Sequence, residues 1–447
     1  MRLCSSIALL TVWFSASLFG QAPGQGPPEA PGVRLTLDEA VARAMATSHR
    51  LAEARARGAA ADAVAAQREA AHLPIVSAQL GYMRTNHVQA FGLPDPSGRL
   101  QIFYPDVPDN YRARLDLQWP IYTGGRLQAL ERAARAEASA VGEELDVARA
   151  DLKLEVTGAF WAVVTARESA RVLEEALARV EAQLADVRAR FDQGFVPPND
   201  VSSVEALRAR QRMLLIDARN QAAVAQADLA RLIDAPVDAG LHLDAALAPL
   251  ADSSAPPFDS LLQSAKGGRS ERTALAMRVQ AALERVDAAR AGRLPSISLV
   301  SGYDYARPNP KIFPRRDEWQ DSWDVGVSVS WSVWDGGRTS AQAAEASAAA
   351  IAARERLAGF DEALALEVRQ RRLDLSSARA QIDAAVEGVR SAAEGRRVVQ
   401  ERFSVGVATT TEVLDAQVAL LQAELDRTRA LAAARLAQAR LERALGH

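Results

Sequence analysis

The sequence predicts an α+β membrane protein in which a β-barrel assembled from several chains continues into a long antiparallel helical coiled coil. Three observations predict it: an internal duplication, paired strand segments of about ten residues with strict alternation, and proline-free helical stretches of about 65 residues.

The chain opens as a secretory signal over residues 1–22. Arg2 precedes an apolar stretch from Ile7 to Phe19, too short for a membrane span, and small and proline-rich residues follow. Cleavage is expected after Ala22, with Ser17 as the alternative. The single cysteine, Cys4, would leave with the signal, so neither disulfides nor thiol catalysis is expected. Beyond the signal no apolar run approaches the roughly 18 residues of a spanning helix, so a crossing of the membrane would have to be a closed barrel. The formal net charge of -3 carries no basic patch, and nucleic acid is not an expected partner.

The duplication sets the organisation. "LPIVSAQLGY" from Leu73 returns as "LPSISLVSGY" from Leu294, 221 positions on, and "LDLQWPIYTGGR" from Leu115 returns as "VSVSWSVWDGGR" from Val327, 212 positions on. The offset changes between the paired strands, so the first copy carries about nine extra residues in its loop, where insertions are tolerated. Each copy reads helix, strand, loop, strand, long helix, turn, helix. The first repeat covers 23–233, with strands about 74–83 and 111–122 and a long hairpin over 124–233. A Pro- and Gly-broken linker follows at 234–257, and the second repeat covers 258–447, with strands about 295–304 and 323–334 and a hairpin over 336–445.

Alternation gives each strand two chemistries. Arg112, Arg114, Asp116 and Gln118 share one face against Ala113, Leu115, Leu117, Trp119 and Ile121; in the second copy Asp324, Gly326, Ser328, Ser330 and Ser332 oppose Val325, Val327, Val329, Trp331 and Val333. A half-buried soluble sheet alternates too. The strand length, the export signal and the aromatics Trp119, Tyr122, Trp331 and Trp334 at one strand end favour an apolar-out, polar-in barrel with an aromatic girdle facing outer-membrane lipid. Four strands cannot close one, since about eight is the minimum. Several chains must contribute.

Each second strand ends in Gly-Gly-Arg: Gly124, Gly125 and Arg126, then Gly336, Gly337 and Arg338. Glycine permits the strand-to-helix turn that a Cβ hinders. The uninterrupted stretches that follow correspond to helices about 100 Å long. Leu173, Leu177, Val180, Leu184, Val187 and Phe191 keep the 4-3-4 spacing of a coiled-coil seam, and Leu414, Val418, Leu421 and Leu425 continue it on the return arm. The turns "RFDQGFVPPNDVSSVE" at Arg190 and "RFSVGVATTTEVLDAQ" at Arg402 join the arms. Gly194 and Gly406 suit left-handed C-terminal caps, and Thr409 with Glu412 has capping-box spacing.

These residues resemble the TolC family of outer-membrane efflux proteins, through the duplicated W-x-[VI]-[WY]-x-G-G-R joint and the tip sequence, over essentially the whole mature chain. The resemblance implies a homotrimer, with four strands per chain in a twelve-stranded barrel above a periplasmic tunnel. It also implies a passive exit duct that docks on a periplasmic adaptor and an inner-membrane transporter. The docking positions it implies are Arg190, Phe191, Gly194, Arg402, Val405 and Gly406. Asp200, Glu412 and Asp415 match the acids of the periplasmic gate, where a trimer makes rings of three carboxylates. Phe403 and Ala408 stand where relatives carry a Tyr and an Arg that latch the closed tip. Packing of Phe403 and Phe191 is therefore expected to hold it instead.

The five histidines are scattered, without HxxxH or HExxH spacing, so no metal, cofactor or enzymatic centre is expected. A periplasmic coiled-coil adaptor or scaffold is the rival class. One hairpin, compact β-domains and an inner-membrane anchor would mark it, against the two hairpins and two strand pairs here.

Overall fold

The structure, a computed structural model, describes residues 33–250 and 256–447. The expected signal at 1–22 lies outside the described residues, as do positions 251–255 of the linker. In chain order the elements are β1 (Val33–Leu35), α1 (Leu37–Thr47), α2 (His49–Ala70), β2 (Ile75–Arg84), β3 (Phe91–Pro94), β4 (Leu100–Tyr104), β5 (Asp109–Tyr122), α3 (Arg126–Asp192) and α4 (Pro198–Leu232). Then come β6 (Leu241–Leu243), α5 (Phe258–Gly268), α6 (Ser270–Arg290), β7 (Ser296–Arg307), β8 (Gln320–Ser330), α7 (Arg338–Ser404) and α8 (Thr410–Leu445).

The main sheet runs β2-β5-β7-β8, antiparallel throughout, so the two repeats meet at the β5–β7 ladder. Its outer strands β2 and β8 each have one partner among the described residues. β8 stops at Ser330, short of the expected 334, because β7 begins at Ser296 and offers no backbone beyond the Ser296–Ser330 pair. β5 is longer, reaching Tyr122 against β7 with an irregularity at Pro120, where the ladder lacks an N–H donor. The extra residues of the first-copy loop form the β3–β4 hairpin.

α3 and α7 hold 67 residues each, with return arms α4 and α8 of 35 and 36. The seam on α3 buries Leu173, Val180, Leu184 and Val187 but leaves Phe191 41% exposed. On α8 Val418 is exposed, and its first turns bury Thr410, Val413, Gln417, Leu420 and Leu421 instead. The linker is not merely a break: β6 pairs in parallel with β1, and Leu241 joins Leu51, Phe160, Leu229 and Ile233 in one cluster at mid-length. No helix among the described residues is long and apolar enough to cross a membrane.

Candidate functional site

The sheet has two chemically opposite faces. Cross-strand register places Val76, Leu117, Ser301 and Val325 in one row and Leu80, Ala113 and Tyr305 in another on the same face. Much of this face stands in the open, Leu80 at 86% and Val325 at 63% exposure with Ala113, Leu117 and Ser301 half-buried, so the chain presents a broad apolar surface that water alone would penalise. Aromatics border it at both ends. Trp119 and Trp331 lie at the helix end; Tyr82, Tyr111, Tyr305, Trp319 and Trp323 form a second belt at the loop end, beyond the girdle expected at one strand end. Trp319 stacks on Tyr305 at 4.9 Å, and Tyr82 lies 5.1 Å from Tyr111. Tyr111 and Trp119 are separated by roughly 26 Å at 3.3 Å per residue, comparable with the apolar band of an outer-membrane barrel.

The opposite face is ionic. Asp304, fully buried, accepts from Arg112 Nε at 2.6 Å and Arg114 Nη1 at 2.5 Å, and Arg114 Nε donates to Asp116 at 2.7 Å.

Below the sheet the two joints repeat one construction. Gly125 (φ 84°) and Gly337 (φ 88°) are the N-caps of α3 and α7 in the left-handed region, preceded by Gly124 and Gly336, also at positive φ. A Cβ on Gly124 would sit 2.8 Å from Leu294 Cβ and 3.0 Å from Ala291 O, too close for any side chain. Arg126 and Arg338 open the helices with exposed side chains. Trp119 Nε1 donates to His72 O at 3.0 Å and Trp331 Nε1 to Arg293 O at 3.1 Å, tying the end of each second strand to the start of the first. Asp335 reinforces the second joint by accepting from Gly337 N at 3.0 Å and Thr339 N at 2.8 Å.

At the far end the turns also match. Gly194 N donates to Phe191 O at 2.8 Å and Phe195 N to Arg190 O at 2.9 Å; Gly406 N donates to Phe403 O at 3.1 Å and Val407 N to Arg402 O at 2.8 Å. Both glycines have φ near +77° (78° and 76°), which completes a Schellman-type cap. The return arms differ. α8 begins with a full capping box, Thr409 N donating to Glu412 Oε2 at 2.7 Å and Glu412 N to Thr409 Oγ1 at 3.3 Å. The Thr409 amide holds the Glu412 carboxyl below the usual range, and the Thr409 hydroxyl adds to it. α4 begins on Pro197 and Pro198 without a side-chain cap. Its acid, Asp200, is used across the hairpins, accepting from Thr410 Oγ1 at 2.6 Å.

Phe403 is the centre of the tip. Only 3% exposed, it packs with Val180, Leu184, Val187, Val204, Ala408 and Val413 from both hairpins. Arg190 turns inward, its guanidinium 4.6 Å from the Phe403 ring centroid and its Nη1 3.3 Å from Phe403 O, with Asp186 as ion-pair partner at 3.2 Å. Its counterpart Arg402 stays exposed, and so do Gly194, Gly406, Val405, Glu412 and Asp415. Phe191 belongs to no buried cluster among the described residues, so Phe403 takes the packing expected of the pair. Phe195 and Val407, exposed beside the glycines, also belong to the tip surface. Their sequence signal is the apolar residue that directly follows each turn glycine.

Residues 40–234 and 261–447 match the family described as outer membrane efflux protein. The chain is 27% identical over 334 residues to the outer membrane efflux protein BepC of Brucella suis biovar 1, covering 70% of this chain and 68% of that one. It is 23% identical over 370 residues to the outer membrane protein TolC of Vibrio cholerae, covering 82% and 80%. Among solved structures, the outer membrane protein VceC of Vibrio cholerae superimposes with a TM-score of 0.76 at 20% identity, covering 92% of this chain and 96% of that one. The exposed apolar sheet face, the capped helical tips and these matches agree: the chain belongs to the outer membrane efflux protein family, and its place is the outer membrane.

Proposed function

We propose that three copies of this chain form a passive exit duct. Each contributes four strands to a twelve-stranded barrel, and the α3–α4 and α7–α8 hairpins make a periplasmic tunnel. The observation that carries this is the sheet itself: apolar on one face, ionic on the other, with β2 and β8 each free to pair along one edge. A sheet of that kind is satisfied when identical neighbours complete its ladders, the ionic face lines a water-filled lumen and the apolar face meets lipid. Two joints and two tips per chain become six of each.

At the tips, Arg402, Val405 and Gly406 with Phe191 and Gly194 would receive an adaptor belonging to an inner-membrane transporter of a tripartite efflux or type I secretion system; Arg190 would support that surface from inside through Phe403. Asp415 and Glu412, exposed one turn apart on α8, would ring the aperture, with Asp200 and Phe403 holding the hairpins that frame it. Cell fractionation with heat-modified gel mobility tests the duct. An SDS-resistant trimer in the outer membrane is the expected result, and a soluble monomer refutes it.

A further inference from the structure

The segment between β7 and β8 does not simply cross from strand to strand. Asn309, fully buried, donates through Nδ2 to Gln320 O and to Ser322 Oγ, both at 3.0 Å, and accepts from Lys311 N at 2.9 Å. This fixed turn sends the Lys311 side chain back over the ionic face of the sheet. There Nζ reaches Asp304 Oδ2 at 3.0 Å and also bonds Asp324. Gly302 leaves the space for the cluster: a Cβ there would lie 2.5 Å from Arg114 Nη2. Further along, Phe313 stacks on Phe103 at 5.6 Å and Arg315 Nη1 bonds the Tyr104 hydroxyl at 2.7 Å, so the strap is also tied to the first-copy loop.

The ion count makes Lys311 decisive. Arg112, Arg114 and Lys311 face Asp116, Asp304 and Asp324, three positive groups against three negative. Without Lys311 the cluster carries one net negative charge per chain, three in a trimer. Charges lining a narrow pore set which ion passes.

We infer that Lys311 is a selectivity-determining residue of the outer exit: docked on Asp304 and Asp324, it makes the lumenal cluster neutral and holds the β7–β8 strap over the opening. The inference rests on the duct proposed above, in which the ionic face is the lumenal one.

The test is the reversal potential and conductance of purified trimers in planar bilayers under a KCl gradient near 0.1 M, where the Debye length is about 10 Å. Wild type, Lys311→Gln, Asp324→Asn and the double variant are compared. Each is measured with the native tip and with Phe403→Ala, so that a narrow tip does not set the selectivity. Lys311→Gln is expected to raise the cation-to-anion permeability ratio about threefold or more and to increase conductance as the strap is released. Asp324→Asn should move the ratio towards anions, and the double variant should return it to the wild-type value while keeping the higher conductance. The opposed signs allow either single variant to decide if the other fails to insert. Inserted pores with unmoved reversal potentials overturn the assignment of Lys311. If neither the native protein nor Phe403→Ala alone forms a pore, the duct itself is overturned, and the inference with it.

Discussion

Replacing Phe403 by Ala removes the largest side chain of the buried cluster that joins both hairpins at the tip. Phe403 is 3% exposed and surrounded by Leu184 and four valines, Val180, Val187, Val204 and Val413, so truncation leaves a cavity lined mostly by β-branched side chains that relax little. Substitutions of that kind cost about 3–5 kcal/mol. The Arg190 guanidinium, 4.6 Å from the ring centroid, loses its face contact, worth about 1 kcal/mol at a half-solvated site. At about 1.4 kcal/mol per tenfold change, local opening of the tip should become more frequent by roughly a hundredfold at least. Amide hydrogen exchange reads this at Ala408 and Val413, whose N–H groups bond Arg402 O at 3.2 Å and Thr409 O at 3.3 Å. Conductance of the reconstituted pore should rise as well. Phe191→Ala is the matched control, because that ring is 41% exposed and should change protection less than tenfold. Equal, small losses in both variants would refute the idea that Phe403 holds the hairpins together.

Glu412→Ala combined with Asp415→Ala should lower the cation selectivity of the pore, and unchanged reversal potentials would count against an acidic ring at the tip. The Glu412 carboxyl is held low by Thr409, so its support of the α8 start is complete above the unfolded carboxylate range, near pH 4.3, and is lost as pH falls through the lower folded value. A fall in the protection of the Glu412 and Val413 amides on acidification, taken relative to the intrinsic exchange rate at each pH, should therefore be abolished in Thr409→Ala combined with Glu412→Gln, which removes both halves of the box. Gly125→Ala places a side chain at φ 84° in open space and should cost about 1–2 kcal/mol. Gly124→Ala meets Leu294 as well, so its heat-resistant oligomer should dissociate at a lower temperature than that of Gly125→Ala.

Elements set by neighbours in sequence were legible from the sequence, and those set by distant partners were not. The starts of α3 and α7 at Arg126 and Arg338 follow from adjacent glycines, and the Thr409–Glu412 box needs only four residues to form. The β3–β4 hairpin also had a local signal, since Asp95 in "LPDPSGRL" accepts from Ser97 N at 2.8 Å and Arg99 N at 2.9 Å, a turn chemistry that was available to read. The β1–β6 pair had none: three-residue strands about 208 positions apart are specified only by the cluster around Leu241.

The duplication was most informative where it failed. A repeat offset of 212 makes Arg190 equivalent to Arg402 and Phe191 to Phe403, yet the first pair has its cation inward and its ring outward, and the second the reverse. The cause lies in packing between the hairpins. Phe403 turns into the seam formed by α3, α4 and α8, and once that site is filled Arg190 caps it from the neighbouring turn, leaving Phe191 without a pocket. Asp200 and Thr410 repeat the asymmetry, with the acid of one hairpin satisfied by the hydroxyl of the other. Two near-identical turns thus become one unit with an inner half that binds the hairpins and an outer half that stays free, the division that the proposed duct would need for a tip that both closes and is recognised.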